Sequence, residues 1–109
     1  MQIYRSPIAD MQFVLHDVLG VSALGVPGYA DLDRDTTQAI LEEAGRLAEE
    51  RLLPLNAVGD REGCRLENGV VRTPPGFREA FESLREGGWT AMDCDPAYGG
   101  QGLPVLMHS

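Results

Sequence analysis

At 109 residues and 11.9 kDa the chain has room for one domain, and with 43% hydrophobic and 24% charged residues it falls within ordinary globular usage, which excludes wholesale disorder. It carries 9 basic residues, all arginine, against 17 acidic ones, for a net charge of −8 and a pI near 4.5. Such a surface repels phosphate backbones and anionic lipid, so neither nucleic-acid nor membrane-surface binding is expected. No apolar run approaches the roughly 20 residues that span a bilayer, and Met1 to Asp10 lack the basic-then-apolar pattern of a secretory signal. Two cysteines, Cys64 and Cys94, are not a disulfide framework and read as reduced thiols of a cytoplasmic protein.

The first periodic segment runs from Ser6 to Leu19. Ser6 is placed to cap it, with Asp10 as a competing cap, and Pro7 suits the first helical position. Met11, Val14, Leu15, Val18 and Leu19 share one face, which Phe13 widens. Gly20 stops the helix, and Gly25, Pro27 and Gly28 mark a loop that reaches about Asp35. Asp33 or Asp35 then caps the longest helix, whose expected buried stripe is Ile40, Leu41, Ala44, Leu47, Ala48 and Leu52. Glu42 and Arg46 are spaced to pair on its outer side. Pro54 is expected to kink or end it.

From Asn56 to Thr73 the chain is polar and glycine-bearing, which predicts a loop. Asn68-Gly69 is a tight-turn signal that would join Cys64–Glu67 to Val70–Arg72 in a very short hairpin, too small to stand alone. A third helix is predicted after Thr73, with Pro74 and Pro75 at its entry, Phe77, Ala80, Phe81 and Leu84 on one face, and Gly87-Gly88 at its end. Trp89 to Leu103 reads as irregular, and Pro104 to Ser109 as the first turn of a fourth helix. Its apolar run Val105-Leu106-Met107 has no continuation, which suggests an element cut short, or else a frayed tail. The fold class is all-α.

Candidate chemistry is sparse. Asp31, Asp33 and Asp35, with Glu42, match part of a calcium loop, but Thr36 stands where the sharp turn needs glycine and Gln38 where an apolar residue packs. Caps before an amphipathic helix are the simpler reading. His16, Cys64, Cys94 and His108 include no close pair of zinc ligands. Gly99-Gly100-Gln101-Gly102 precedes a helix as a phosphate-cradling loop would, yet it lacks the Lys-Ser/Thr, the third glycine and the preceding strand. It reads as a tight turn. No elbow motif joins a serine to the histidines.

The pieces in order nevertheless resemble a family. Tyr4-x-x-Pro7-x-x-Asp10-Met11-x-Phe13-Val14-Leu15 is similar to the N-terminal extension of a bacterial branch of the acyl-CoA dehydrogenases, which includes 3-methylmercaptopropionyl-CoA enzymes. Ile40-Leu41-Glu42-Glu43-Ala44, Leu53-Pro54-Leu55-Asn56 and Gly59-Asp60-x-x-Gly63-Cys64 resemble the helix and loop that follow. Gly76-Phe77 to Gly88-Trp89, and Pro96-x-Tyr98-Gly99-Gly100-Gln101-Gly102-Leu103-Pro104, resemble the end of the family's first helical domain.

The resemblance implies an extension with one helix over residues 1–34 and, over 35–109, the N-terminal helical domain, incomplete at its C-terminal end. It implies fatty acid metabolism by an FAD-dependent oxidoreductase that desaturates an acyl-CoA thioester between the α and β carbons. A glutamate base, an electron-transfer flavoprotein as electron acceptor and a homo-oligomer belong to that picture. The base and the flavin contacts belong to later domains of the family. None of the glutamates here matches the base, and this segment alone is expected to be inactive and without flavin. Tyr98, Gly99, Gly100, Gly102 and Leu103 are the candidate acyl-pocket wall. The competing reading is a free-standing helical interaction module without catalytic activity.

Overall fold

Pro7 enters the first helix where its missing N–H costs nothing. In the computed structural model, which describes residues 3–109, α1 spans Ile8–Gln12 and runs directly into a π-helical turn, Phe13–Val18. Met1 and Gln2, the start of the expected extension, lie outside the described residues. Ser6 does not cap α1 through its side chain; the Ser6 and Pro7 carbonyls accept from Ile8 and Met11 instead, at 2.8 and 3.0 Å. Asp10, the competing cap, lies within the first turn, where negative charge suits the helix dipole. Gly20, at φ 56°, ends the helical run as expected. The predicted apolar face forms, but Leu15 is its one buried member; Met11, Phe13, Val14, Val18 and Leu19 are exposed.

The longest helix, α2, spans Arg34–Leu47. Of the two candidate caps the structure uses Asp33, whose carboxylate accepts from Thr36 N–H at 2.7 Å. That bond, with a smaller contribution from Asp35 N–H, holds the Asp33 carboxyl below its ordinary range. A carboxyl depressed in the folded state stabilises fully above its unfolded pKa, and loses that contribution as pH falls through the lower folded value. Asp33→Ala is therefore expected to lower the urea midpoint at neutral pH, with the gap to the parent closing on acidification. A gap that is the same at neutral and acidic pH would show that the carboxylate contributes nothing.

Pro54 does not end this helix. The chain continues as a π-helical stretch, Ala48–Leu52, and then as α3, Leu53–Glu62, with Pro54 in its first turn. The wider turn ahead of Pro54 absorbs the missing donor and the ring clash that would break a uniform α-helix. The predicted loop from Asn56 is thus helical as far as Glu62. Strands β1, Arg65–Glu67, and β2, Val70–Arg72, pair antiparallel in the register Arg65↔Arg72, Leu66↔Val71 and Glu67↔Val70. Asn68 at φ 50° and Gly69 at φ 78° make the left-handed two-residue turn that suits strand twist. All six strand residues are exposed. The hairpin is an appendage on a helical fold.

Helix α4, Phe77–Glu86, buries Ala80 and leaves Phe77 partly exposed and Phe81 more than half exposed. Gly88, at φ 78°, turns the chain out of it. Two 3₁₀ turns, Trp89–Ala91 and Pro96–Tyr98, lead through the irregular segment to the short α5, Val105–His108. His108 Nδ1 meets Asp93 at 2.9 Å and ties α5 to that segment. The core lies at this end: Leu15, Val21 and Leu32 are buried, with Tyr29, Leu41, Leu103, Leu106 and Met107 packed around them. The whole is a slab of 54 × 37 × 17 Å.

Candidate functional site

The Tyr98–Leu103 loop is strapped to the segment before it. Asp95 starts the turn by accepting Ala97 N–H on its carboxylate at 2.8 Å. Tyr98 and Gly100 N–H donate to the Asp95 carbonyl at 2.9 and 3.1 Å, and Gly99 N–H to Pro96 at 3.1 Å. Gln101 donates to Ala91, Gly102 to Cys94 and Leu103 to Met92, at 3.1, 3.0 and 2.8 Å. Six successive amides are thus consumed by residues 91–96. None is left to aim at an anion, which removes the phosphate-cradling reading on chemical grounds.

The glycines of this loop do two different things. Gly99 and Gly102 adopt φ 87° and 67°, the left-handed region that suits a residue without Cβ. Gly100 is held by proximity: a Cβ there would stand 2.0 Å from the Cys94 carbonyl oxygen. The loop presents its predicted wall residues in different directions. Tyr98 projects from it, 89% exposed. Leu103 turns inward against the core and lines a small hollow with Ile40, Trp89 and Met92.

The larger concavities lie elsewhere. An open apolar groove of about 830 Å³ runs between the Ala48–Glu62 helical stretch and α4, lined chiefly by Tyr4, Leu52, Leu55, Phe77, Phe81 and Leu84, with Asp60 at its edge. A second hollow, about 420 Å³, lies among Met11, Val14, Leu41, Leu106 and Met107. Hydrophobic periodicity puts Leu41 and Leu52 in a buried stripe, and Met11 with Val14, and Phe77, Phe81 and Leu84, on shared apolar faces. Leu41 also packs against the core, but among the described residues these faces remain open at the two hollows.

One polar cluster escaped sequence reasoning. Thr37 is fully buried and gives its hydroxyl proton to Gln12 Oε1 at 2.6 Å, while His16 Nε2 meets Thr37 Oγ1 at 2.8 Å. Gln12 Nε2 donates in turn to the Arg34 carbonyl and to Gln38. His16 therefore links the π-helical turn Phe13–Val18 to α2. The available signal was a hydroxyl one turn inside a capped helix. Cys64 and Cys94 are free and exposed. Among the described residues, no three His, Cys, Asp or Glu side chains converge as metal ligands, and no helix is long and apolar enough to cross a membrane.

No protein-family model matches the chain. Among known proteins it is 36% identical over 107 residues to 3-methylmercaptopropionyl-CoA dehydrogenase of Ruegeria pomeroyi. It is also 36% identical over 107 residues to the broad-specificity linear acyl-CoA dehydrogenase FadE5 of Mycobacterium tuberculosis. Each match takes in 95% of this chain and 18% of the relative, so the chain spans less than a fifth of the proteins it resembles.

Proposed function

We propose, from the premise that this chain is a segment of the acyl-CoA dehydrogenase family, that it is the N-terminal helical part of an enzyme that desaturates an acyl-CoA thioester and that it walls one side of the acyl and flavin site. Residues 1–34 are the extension and 35–109 the helical domain proper. The observation that carries the reading is the pairing of 36% identity along nearly all of this chain with two open apolar hollows. A wall of this kind contributes by excluding water, which strengthens every electrostatic interaction on the reacting side. The Tyr98–Leu103 loop contributes by fixing where α5 begins and where the Tyr98 ring projects.

The residues of this chain do not fit a flavin dinucleotide by themselves. The one glycine-rich loop has spent its amides internally, and the net charge of −8 opposes a pyrophosphate. FAD, acyl-CoA and the electron-transfer flavoprotein are accordingly proposed as ligands and partners of the whole homo-oligomeric enzyme, held mainly by parts outside this chain.

A chimera tests the reading. Replacing the matching segment of the Ruegeria pomeroyi enzyme by this chain should give a yellow protein that still oxidises an acyl-CoA. A chimera that folds and holds flavin at full occupancy, yet turns over no acyl-CoA of any chain length, would overturn the wall role and favour the free-standing interaction module.

A further inference from the structure

We propose that residues 3–6 form a detachable strap, latched by Glu49, which holds Tyr4 in place as one wall of the large apolar groove. The proposal stands on this chain's own contacts and is independent of the family reading. Glu49 Oε1 accepts the backbone N–H of Ser6 at 2.8 Å, across 43 positions of sequence. Its other oxygen lies 3.7 Å from Arg5 Nη1. One carboxylate thus grips two successive residues of the strap, and the Ser6 N–H is the main cause of a Glu49 carboxyl held below its ordinary range. The next residue outward from Arg5 is Tyr4, which lines the groove together with Ala48 and Leu52.

Beside the latch, the strap is seated on α2 by shape. Gly45 is buried beneath it, and a Cβ there would come within 2.9 Å of Ser6 Oγ and 3.0 Å of Ser6 Cβ. Ser6 Oγ is buried with no hydrogen-bond partner, an arrangement that disfavours the seated state. Close packing and the Glu49 latch hold the strap down against that penalty. Removing either should let it lift, and Tyr4 should leave the groove with it. Glu49 is therefore a positioning residue for a groove wall that it does not itself line.

The experiment uses Glu49→Ala, Glu49→Gln and Gly45→Ala in the chain as given, at low micromolar concentration. Gly45→Ala leaves the carboxylate intact and improves intrinsic helix propensity, so it lifts the strap without weakening α2. Two readouts follow: hydrogen exchange at the Ser6 amide, and nitration of Tyr4 by tetranitromethane with the fully exposed Tyr98 as internal reference. Glu49→Ala and Gly45→Ala should each speed Ser6 exchange about tenfold and raise Tyr4 nitration toward the Tyr98 rate, with Thr36 and Thr37 amides unchanged. Glu49→Gln, which keeps an acceptor, should give a smaller rise of the same sign. Faster Ser6 exchange with Tyr4 nitration unchanged would overturn the coupling to the groove. No change at Ser6 in Glu49→Ala would overturn the latch itself, and none in Gly45→Ala would overturn the seating on Gly45.

Discussion

Replacing Gly100 by valine is expected to dislodge the whole Tyr98–Leu103 loop and to lower stability by about 3 kcal/mol or more, beyond the usual cost of overpacking. Its Cβ would stand 2.0 Å from the Cys94 carbonyl oxygen and 2.3 Å from the carbonyl carbon. Both are backbone atoms and have no rotamer in which to retreat. The displaced carbonyl is also the acceptor for Gly102 N–H, so the fault spreads to the entry of α5. Urea denaturation of the isolated chain measures the cost, and hydrogen exchange at Gln101, Gly102 and Leu103 locates it. In the proposed dehydrogenase the same substitution should reduce kcat/KM on the order of a hundredfold through a misplaced wall, with flavin per subunit unchanged. Parent-like stability in Gly100→Val would mean that the Cys94 carbonyl moves freely and that the loop is a simple connector. Loss of flavin would mean that the loop supports the cofactor.

The isolated chain is expected to self-associate. Its accessible surface is 7777 Å², whereas a compact monomer of this mass exposes about 6000 Å². Its radius of gyration is 17.0 Å, against about 13 Å for a compact domain of this length. The surplus is apolar in part: Phe81 and Val14, which line the two open hollows, are 55% and 47% exposed. A surface of this kind seeks a partner, and a second copy is the partner at hand. Sedimentation equilibrium at high micromolar concentration should give a mass above 11.9 kDa. Added salt should strengthen the association, because it screens repulsion between chains of charge −8. A clean monomer across that range of concentration and salt would refute the expectation.

Signals that act within a few residues were legible in the sequence. Asn68-Gly69 is a turn because both residues tolerate positive φ, and Asp33 is a cap because its carboxylate reaches an amide three positions on. Gly20 and Gly88 end helical runs for equally local reasons. Pro54 misled because a proline's effect depends on the turn ahead of it, and a π-helical turn leaves no mark in the hydrophobic pattern. The apolar faces were visible as stripes, but periodicity reports that a face exists and not whether this chain covers it. In the loop, the tight turn and its glycines were readable. The close pass of Cys94 beneath Gly100, the inward turn of Leu103 and the hold of Glu49 on Ser6 depend on tertiary placement, which residue type does not encode.

The π-helical stretch before Pro54 sets the path of the groove. An α-helix advances about 100° per residue, whereas the wider i→i+5 winding advances roughly 80°. Over Ala48–Leu52 the difference accumulates to roughly a quarter turn. Everything on α3 is therefore rotated by that angle from where an unbroken helix would carry it. Gly45, which seats Ser6, and Gly59, which lies under the Phe77 ring, belong to one continuous rod from Arg34 to Glu62. In a uniform α-helix the two would point about 40° apart. With the slow stretch between them their directions diverge further, so the glycine that seats Ser6 and the glycine that meets the Phe77 ring do not share one face of the rod.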